Sequence, residues 1–153
     1  MKIAIGADHG GYPLNETVIE MLRAAGHGIE DFGTHDGTRA DDYPDYAWEV
    51  GEAVRAGHAE CGIIICGSGV GASVAANKLR GVRAALCGDT YSAHQSREHD
   101  DCNVLCLGAR VVGIELATEI VRAFVAARFT NEERHQRRLD KVLDIERRES
   151  TKD

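Results

Sequence analysis

Short apolar runs rich in β-branched residues alternate with longer segments of helical periodicity from residue 2 to residue 127. The strand-like runs lie near 2–7, 28–32, 61–66, 82–87 and 103–108. Helix-like runs follow them, near 11–25, 45–56, 70–79, 90–98 and 113–127. Most of the strands are apolar throughout rather than on alternate residues, so both of their faces need cover. Strands of that kind joined by helices pack as a parallel sheet between two helical layers. The pattern therefore predicts an α/β fold, a Rossmann-like doubly wound parallel sheet of about five strands. A last helix-like stretch, about 131–149, carries Leu139, Val142, Leu143 and Ile145 at helical spacing and has no strand of its own. By pattern alone it packs equally well on its own domain or on a partner subunit.

At 153 residues the chain reads as a single domain, 1–153, without linker, repeat or low-complexity segment. No apolar run approaches the roughly 18–20 residues of a membrane span. The chain opens directly into Lys2-Ile3-Ala4-Ile5, a strand rather than an export signal. Five cysteines with no CxxC pair suit a reducing, cytoplasmic setting, and Cys61, Cys87, Cys102 and Cys106 read as packing thiols. A net charge of −7 argues against a nucleic-acid binder. The C-terminal segment is no exception, since residues 131–153 hold seven Lys/Arg against seven Asp/Glu.

Ligands of such sheets bind at the carboxyl ends of the strands, where the strand order reverses. Asp8-His9-Gly10-Gly11 follows the first predicted strand, and Cys66 with Gly67-Ser68-Gly69-Val70-Gly71 ends the third. The fourth leads to Asp89 and a helix finishing in Arg97-Glu98-His99-Asp100, and Gly108-Ala109-Arg110 follows the fifth. Taken singly each has a bland explanation. Most cysteines ending a core strand are packing, Asp8 could be a helix cap, and His99 suits a helix C-terminus. Together they are expected to converge on one rim. A strand, glycine turn and helix start would then set a cysteine beside unpaired backbone N–H groups, which bind anions and stabilise a thiolate.

This set has no metal-ligand spacing, no Walker lysine and no GxGxxG dinucleotide turn. It suits proton transfer beside a carbonyl without metal or cofactor, with an enediolate held by N–H groups. Aldose–ketose isomerisation of a sugar phosphate needs such a base, an oxyanion site, a ring-opening acid and a phosphate clamp.

Seven segments then carry a family resemblance: Asp8-His9-Gly10-Gly11, Asp42-Tyr43-Pro44-Asp45, 66–71, Ala75-Ala76-Asn77-Lys78, Gly81-Val82-Arg83-Ala84, Ser96-Arg97-Glu98-His99 and 133–138. In order and register over about 2–148 the chain resembles the ribose-5-phosphate isomerase B family, within the wider group of galactose- and allose-6-phosphate isomerases. The resemblance implies that Cys66 is the base, and that Ser68 with the N–H groups of Gly67, Gly69, Val70 and Gly71 holds the enediolate. It implies that His99 opens the furanose ring, assisted by Asp8 and Tyr43, and that His9, Arg110, Arg134 and Arg138 hold the phosphate. It further implies a homodimer, with assembly into a tetramer left open, whose C-terminal arm reaches the neighbouring subunit and shares the active site.

Asp100 departs from the family, which usually has asparagine there; an ionised aspartate can only accept a hydrogen bond from a sugar hydroxyl. Ser68 stands where threonine is frequent. Two rivals are an isomerase of a hexose or tetrose phosphate and a non-enzymatic flavodoxin-like nucleotide-binding module. The second is disfavoured because no Trp or Phe lies in the rim loops and Cys66 stands where a phospho-acceptor aspartate would.

Overall fold

The computed structural model describes residues 1–151. Five strands, β1 (Lys2–Ala7), β2 (Gly28–Asp31), β3 (Cys61–Cys66), β4 (Ala84–Leu86) and β5 (Val104–Gly108), form one sheet in the order β2-β1-β3-β5-β4. Every pairing is parallel, with Ile5 opposite Ile63 and Ile63 opposite Leu105 at the centre. The predicted doubly wound sheet is present. Helices α1 (Tyr12–Ala24), α2 (Tyr43–Arg55), α3 (Val70–Ala76), α4 (Thr90–Asp100), α5 (Ile114–Ala126) and α6 (Glu133–Ser150) surround it.

The apolar runs of β1, β3 and β5 divide residue by residue between two cores, as side chains alternate across a strand. Ile3, Ile5, Ile63, Ile65, Leu105 and Leu107 face α1 and α5, where they meet Leu14, Val18, Leu22, Ile120 and Phe124. Ala4, Ile64, Cys66, Val104 and Cys106 face α2 and α3, against Ala47, Val50, Ala53, Ala72 and Ala76. Each fully buried Ile or Leu contributes about 1.5–3 kcal/mol of transfer free energy. The alanines let α2 and α3 lie close to the sheet.

Three boundaries move. β4 is three residues long rather than the predicted 82–87: just before it, Arg83 N–H goes to Asn103 Oδ1 at 2.8 Å instead of a backbone carbonyl, while Asn77 holds Ala84, Ala84 N–H donating to Asn77 Oδ1 and Asn77 Nδ2 donating to Ala84 O, both at 2.9 Å. α3 ends at Ala76 and continues as turns, and α2 already starts at Tyr43, with Pro44 in its first turn. α6 packs on its own domain, burying His135 and Leu139, and Glu146 accepts from Gly81 N–H at 2.8 Å. Its Val142 and Ile145 stay exposed. Among the described residues no helix is long and apolar enough to cross a membrane.

Strand order reverses between β1 and β3. The chain leaves β1 for β2 on one side, then returns to the other side as β3. The crevice outside their carboxyl ends is where a ligand of such a sheet sits.

Candidate active site

Cys66 ends the central strand at that crevice and is 4% exposed. The loop behind it turns through Gly69, whose φ of 80° is left-handed and favours glycine. The turn aims Gly69 N–H at Cys66 Sγ, 3.1 Å away, a donor that stabilises sulfur when it is ionised. Val70 N–H donates to Ser68 Oγ at 3.3 Å, while the Ser68 side chain is exposed at the rim. The Tyr43 ring lies on Gly71 so closely that a Cβ there would be 2.5 Å from it. Arg110 N–H donates to Gly67 O at 3.0 Å, which fixes the turn after β5 against the loop after β3.

The other four cysteines behave as packing. Burial pushes the thiol of Cys61 up, that of Cys87 up to about 11 and that of Cys102 up to about 12. Cys106, enclosed in the sheet, is also raised by burial. All five cysteines are free.

The turn after β1 brings the second group to the same crevice. Asp8 is buried and accepts Gly11 N–H at 2.9 Å; a side chain on Gly11 would overlap the carbonyl of Ile65, so this turn sits directly on the end of β3. His9 is held by a residue that the motifs did not single out. Asp41 Oδ1 accepts from His9 backbone N–H at 2.7 Å and lies 2.9 Å from His9 Nδ1, while Tyr46 donates its hydroxyl to Asp41 Oδ2 at 2.6 Å. Burial pushes the Asp41 carboxyl up, but the bonds from Tyr46 and His9 outweigh it and bring it down to about 2. No spacing signal joins Asp41 to a histidine 32 positions earlier. Ligand atoms of Asp8, His9 and Asp41 lie within 4.8 Å of one another, a spacing that a cation could use. The hydrogen bonds already engage Nδ1 and both Asp41 oxygens.

The expected single rim is not what one chain forms. β4 and β5 are parallel, so α4 must run back along the sheet, and its 11 residues cover about 16 Å. His99 and Asp100 therefore lie toward the amino ends of the strands, away from Cys66. There Asp101 pairs with Arg83, the residue before β4, at 2.8 Å. Asp100 and Arg138 line one cavity with Arg83 and Cys102. Gln95 Nε2 donates to His99 Nδ1 at 3.0 Å, and the His99 ring stacks on that of His135. Arg134 is exposed and pairs with Glu132 at 3.0 Å. The structure thus brings Asp8, His9, Tyr43, Cys66, the loop from Gly67 to Gly71 and Arg110 together. It places His99, Asp100, Arg134 and Arg138 in a second group.

A doubly wound α/β domain with a cysteine, a glycine loop and a held histidine at its switch point belongs to the class of small-ligand α/β enzymes. More closely, the chain belongs to the Ribose/Galactose Isomerase family, whose model matches residues 3–142. It is 47% identical over 147 residues to ribose-5-phosphate isomerase B of Escherichia coli (strain K12), covering 96% of this chain and 97% of that protein. Ribose-5-phosphate isomerase B of Clostridium thermocellum superposes with a TM-score of 0.94 at 48% identity, covering 97% of this chain and 99% of the other. Ribose-5-phosphate isomerase B of Mycoplasma genitalium, solved with bound ribulose-5-phosphate, gives a TM-score of 0.90 at 40% identity, covering 95% and 96%.

Proposed function

We propose that this chain is an aldose–ketose isomerase that interconverts ribose 5-phosphate and ribulose 5-phosphate through an enediolate. The observation that carries this reading is the Gly69 N–H held 3.1 Å from Cys66 Sγ at the switch point, in a chain of this family. The Cys66 thiolate removes the proton from C2 of the open-chain aldose and returns it to C1. The C2 hydroxyl proton passes to O1, so the aldehyde becomes a primary alcohol and C2 becomes the ketone. Ser68 and the loop N–H groups from Gly67 to Gly71 hold the oxygens as charge develops on them, with Gly69 N–H serving the sulfur.

The working site is shared between two copies. His99 and Asp100 of one chain, with Arg134 and Arg138, meet Cys66, His9, Tyr43 and Arg110 of the other. The separation of the two groups within one chain supports this, as do Val142 and Ile145, left exposed on α6 at 52% and 61%. In that assembly His99 opens the furanose, with Asp8 and Tyr43 assisting. His9, Arg110, Arg134 and Arg138 surround the phosphate. Five free cysteines fit a reducing cytoplasm. Asp100 favours one alternative, a sugar phosphate of four or six carbons, because it cannot donate to a hydroxyl when ionised.

The test is NMR of ribose 5-phosphate with the protein in D2O containing a chelator. Ribulose 5-phosphate with deuterium at C1 is expected. Failure to form any ketose would overturn the assignment to this sugar.

A further inference from the structure

His9 is held more elaborately than a surface histidine needs to be. One Asp41 oxygen meets both the backbone N–H and the ring of the same residue, and the other accepts the Tyr46 hydroxyl. Asp41 N–H also points at His9 Nδ1, from 3.3 Å. The nearer approach, 2.9 Å, is that of an ionised oxygen, which requires a proton on Nδ1. The three-way contact ties the turn after β1 to the segment before α2, and through Tyr46 to α2 itself. It leaves Nε2 as the ring nitrogen free to meet a ligand.

We propose that Asp41 is a positioning residue for His9, fixing the imidazole with its proton on Nδ1 so that Nε2 is presented to the phosphate of the substrate. This rests on the reading of His9 as a phosphate contact. A ring that donates from Nε2 to a phosphate carries both protons, the second taken up from solvent or from the phosphate monoanion as the substrate binds, and the Asp41 carboxylate then lies against the far N–H of the cation. Tyr46 keeps that carboxylate from rotating away. The other acidic groups nearby are Asp8 beside His9, Asp36 and Asp42 beside Asp41, and Asp45 beside Tyr46. Of the acidic groups, Asp41 is the one hydrogen-bonded to the imidazole.

The experiment combines nitrogen-15 NMR of histidine-labelled full-length protein with kinetics and inhibition by inorganic phosphate. The wild-type His9 ring is expected to show its proton on Nδ1. In Asp41→Ala that preference is lost, and the KM for ribose 5-phosphate and the Ki for phosphate both rise about tenfold while kcat changes less than about twofold. Asp41→Asn keeps an acceptor for Nδ1–H, so it retains the tautomer while KM stays raised. An unchanged tautomer in Asp41→Ala overturns the proposal. So does an unchanged phosphate Ki in Asp41→Ala beside a raised one in His9→Ala. An unchanged Ki in His9→Ala overturns the phosphate reading itself, and the proposal falls with it.

Discussion

The imidazole of His99 lies almost flat on that of His135, with ring centroids 4.0 Å apart and planes 28° from parallel. His135 is 1% exposed, and its Nδ1 lies 2.8 Å from the Thr130 hydroxyl. The same threonine binds Glu98 O through both its N–H, at 3.0 Å, and its hydroxyl, at 3.1 Å. The start of α6 is thereby tied to the last turn of α4, directly beside the ring-opening candidate.

Burial of His135 beside His99 makes stability depend on pH. Desolvation, and then the nearby His99 and Arg134, lower the protonation point of His135 below the usual 6.5. The unfolded chain therefore takes up a proton at His135 before the folded one does. Stability from this residue is full above about pH 6.5 and is lost as pH falls through the lower folded value. Urea unfolding midpoints measured from pH 7.5 to 5 are expected to fall, and His135→Gln is expected to flatten that slope. An equal slope in the variant would remove His135 as its source.

Gly69 is the residue whose replacement should separate loop geometry from fold. A Cβ there would lie 2.5 Å from Leu86 Cδ1 and 2.9 Å from the Leu107 carbonyl carbon, at a φ of 80°. Gly69→Ala is expected to cost about 1–3 kcal/mol of stability and to displace the N–H from Cys66. Isomerisation should fall further than the loss of folded protein explains. Activity per folded molecule, read beside circular dichroism, checks this.

The proposed sharing of the site between two copies predicts complementation between inactive variants. Cys66→Ala and His99→Asn should each be nearly inactive as homodimers. Co-expressed, they form mixed dimers in which one site has both residues intact and the other has neither. Random pairing then restores about a quarter of wild-type activity. No recovery in a preparation shown by mass spectrometry to contain mixed dimers would place both residues in the same chain's site.

Asp100 should set sugar preference. Replacing it with asparagine restores a donor for a sugar hydroxyl. Asp100→Asn is expected to raise kcat/KM for ribose 5-phosphate by about tenfold or less, the worth of one hydrogen bond. Comparing four-, five- and six-carbon sugar phosphates with both proteins checks the assignment; an unaltered ratio would show that position 100 does not read the sugar.

Most of the fold was legible because burial imposes a pattern. Ile63-Ile64-Ile65 must be covered on both faces, and that requirement survives any detail of tertiary packing. β4 was harder, since the N–H of Arg83 before it goes to the side chain of Asn103, 20 positions away, a contact without local signature. At the site, Cys66 and its loop were legible because strand, cysteine and turn are contiguous. Asp41 was not, because its partner lies 32 residues away and only the turn after β1 brings them together.

The sequence by itself determined the parallel α/β architecture, the switch-point loop and the family, since each depends on short-range periodicity and contiguous motifs. Tertiary structure alone decided which of those residues meet. A helix between parallel strands has to run backwards, so His99 and Asp100 at the end of α4 are carried away from Cys66 within one chain. That direction follows from chain connectivity in three dimensions, and it is the physical reason a second copy is needed to complete the proposed site.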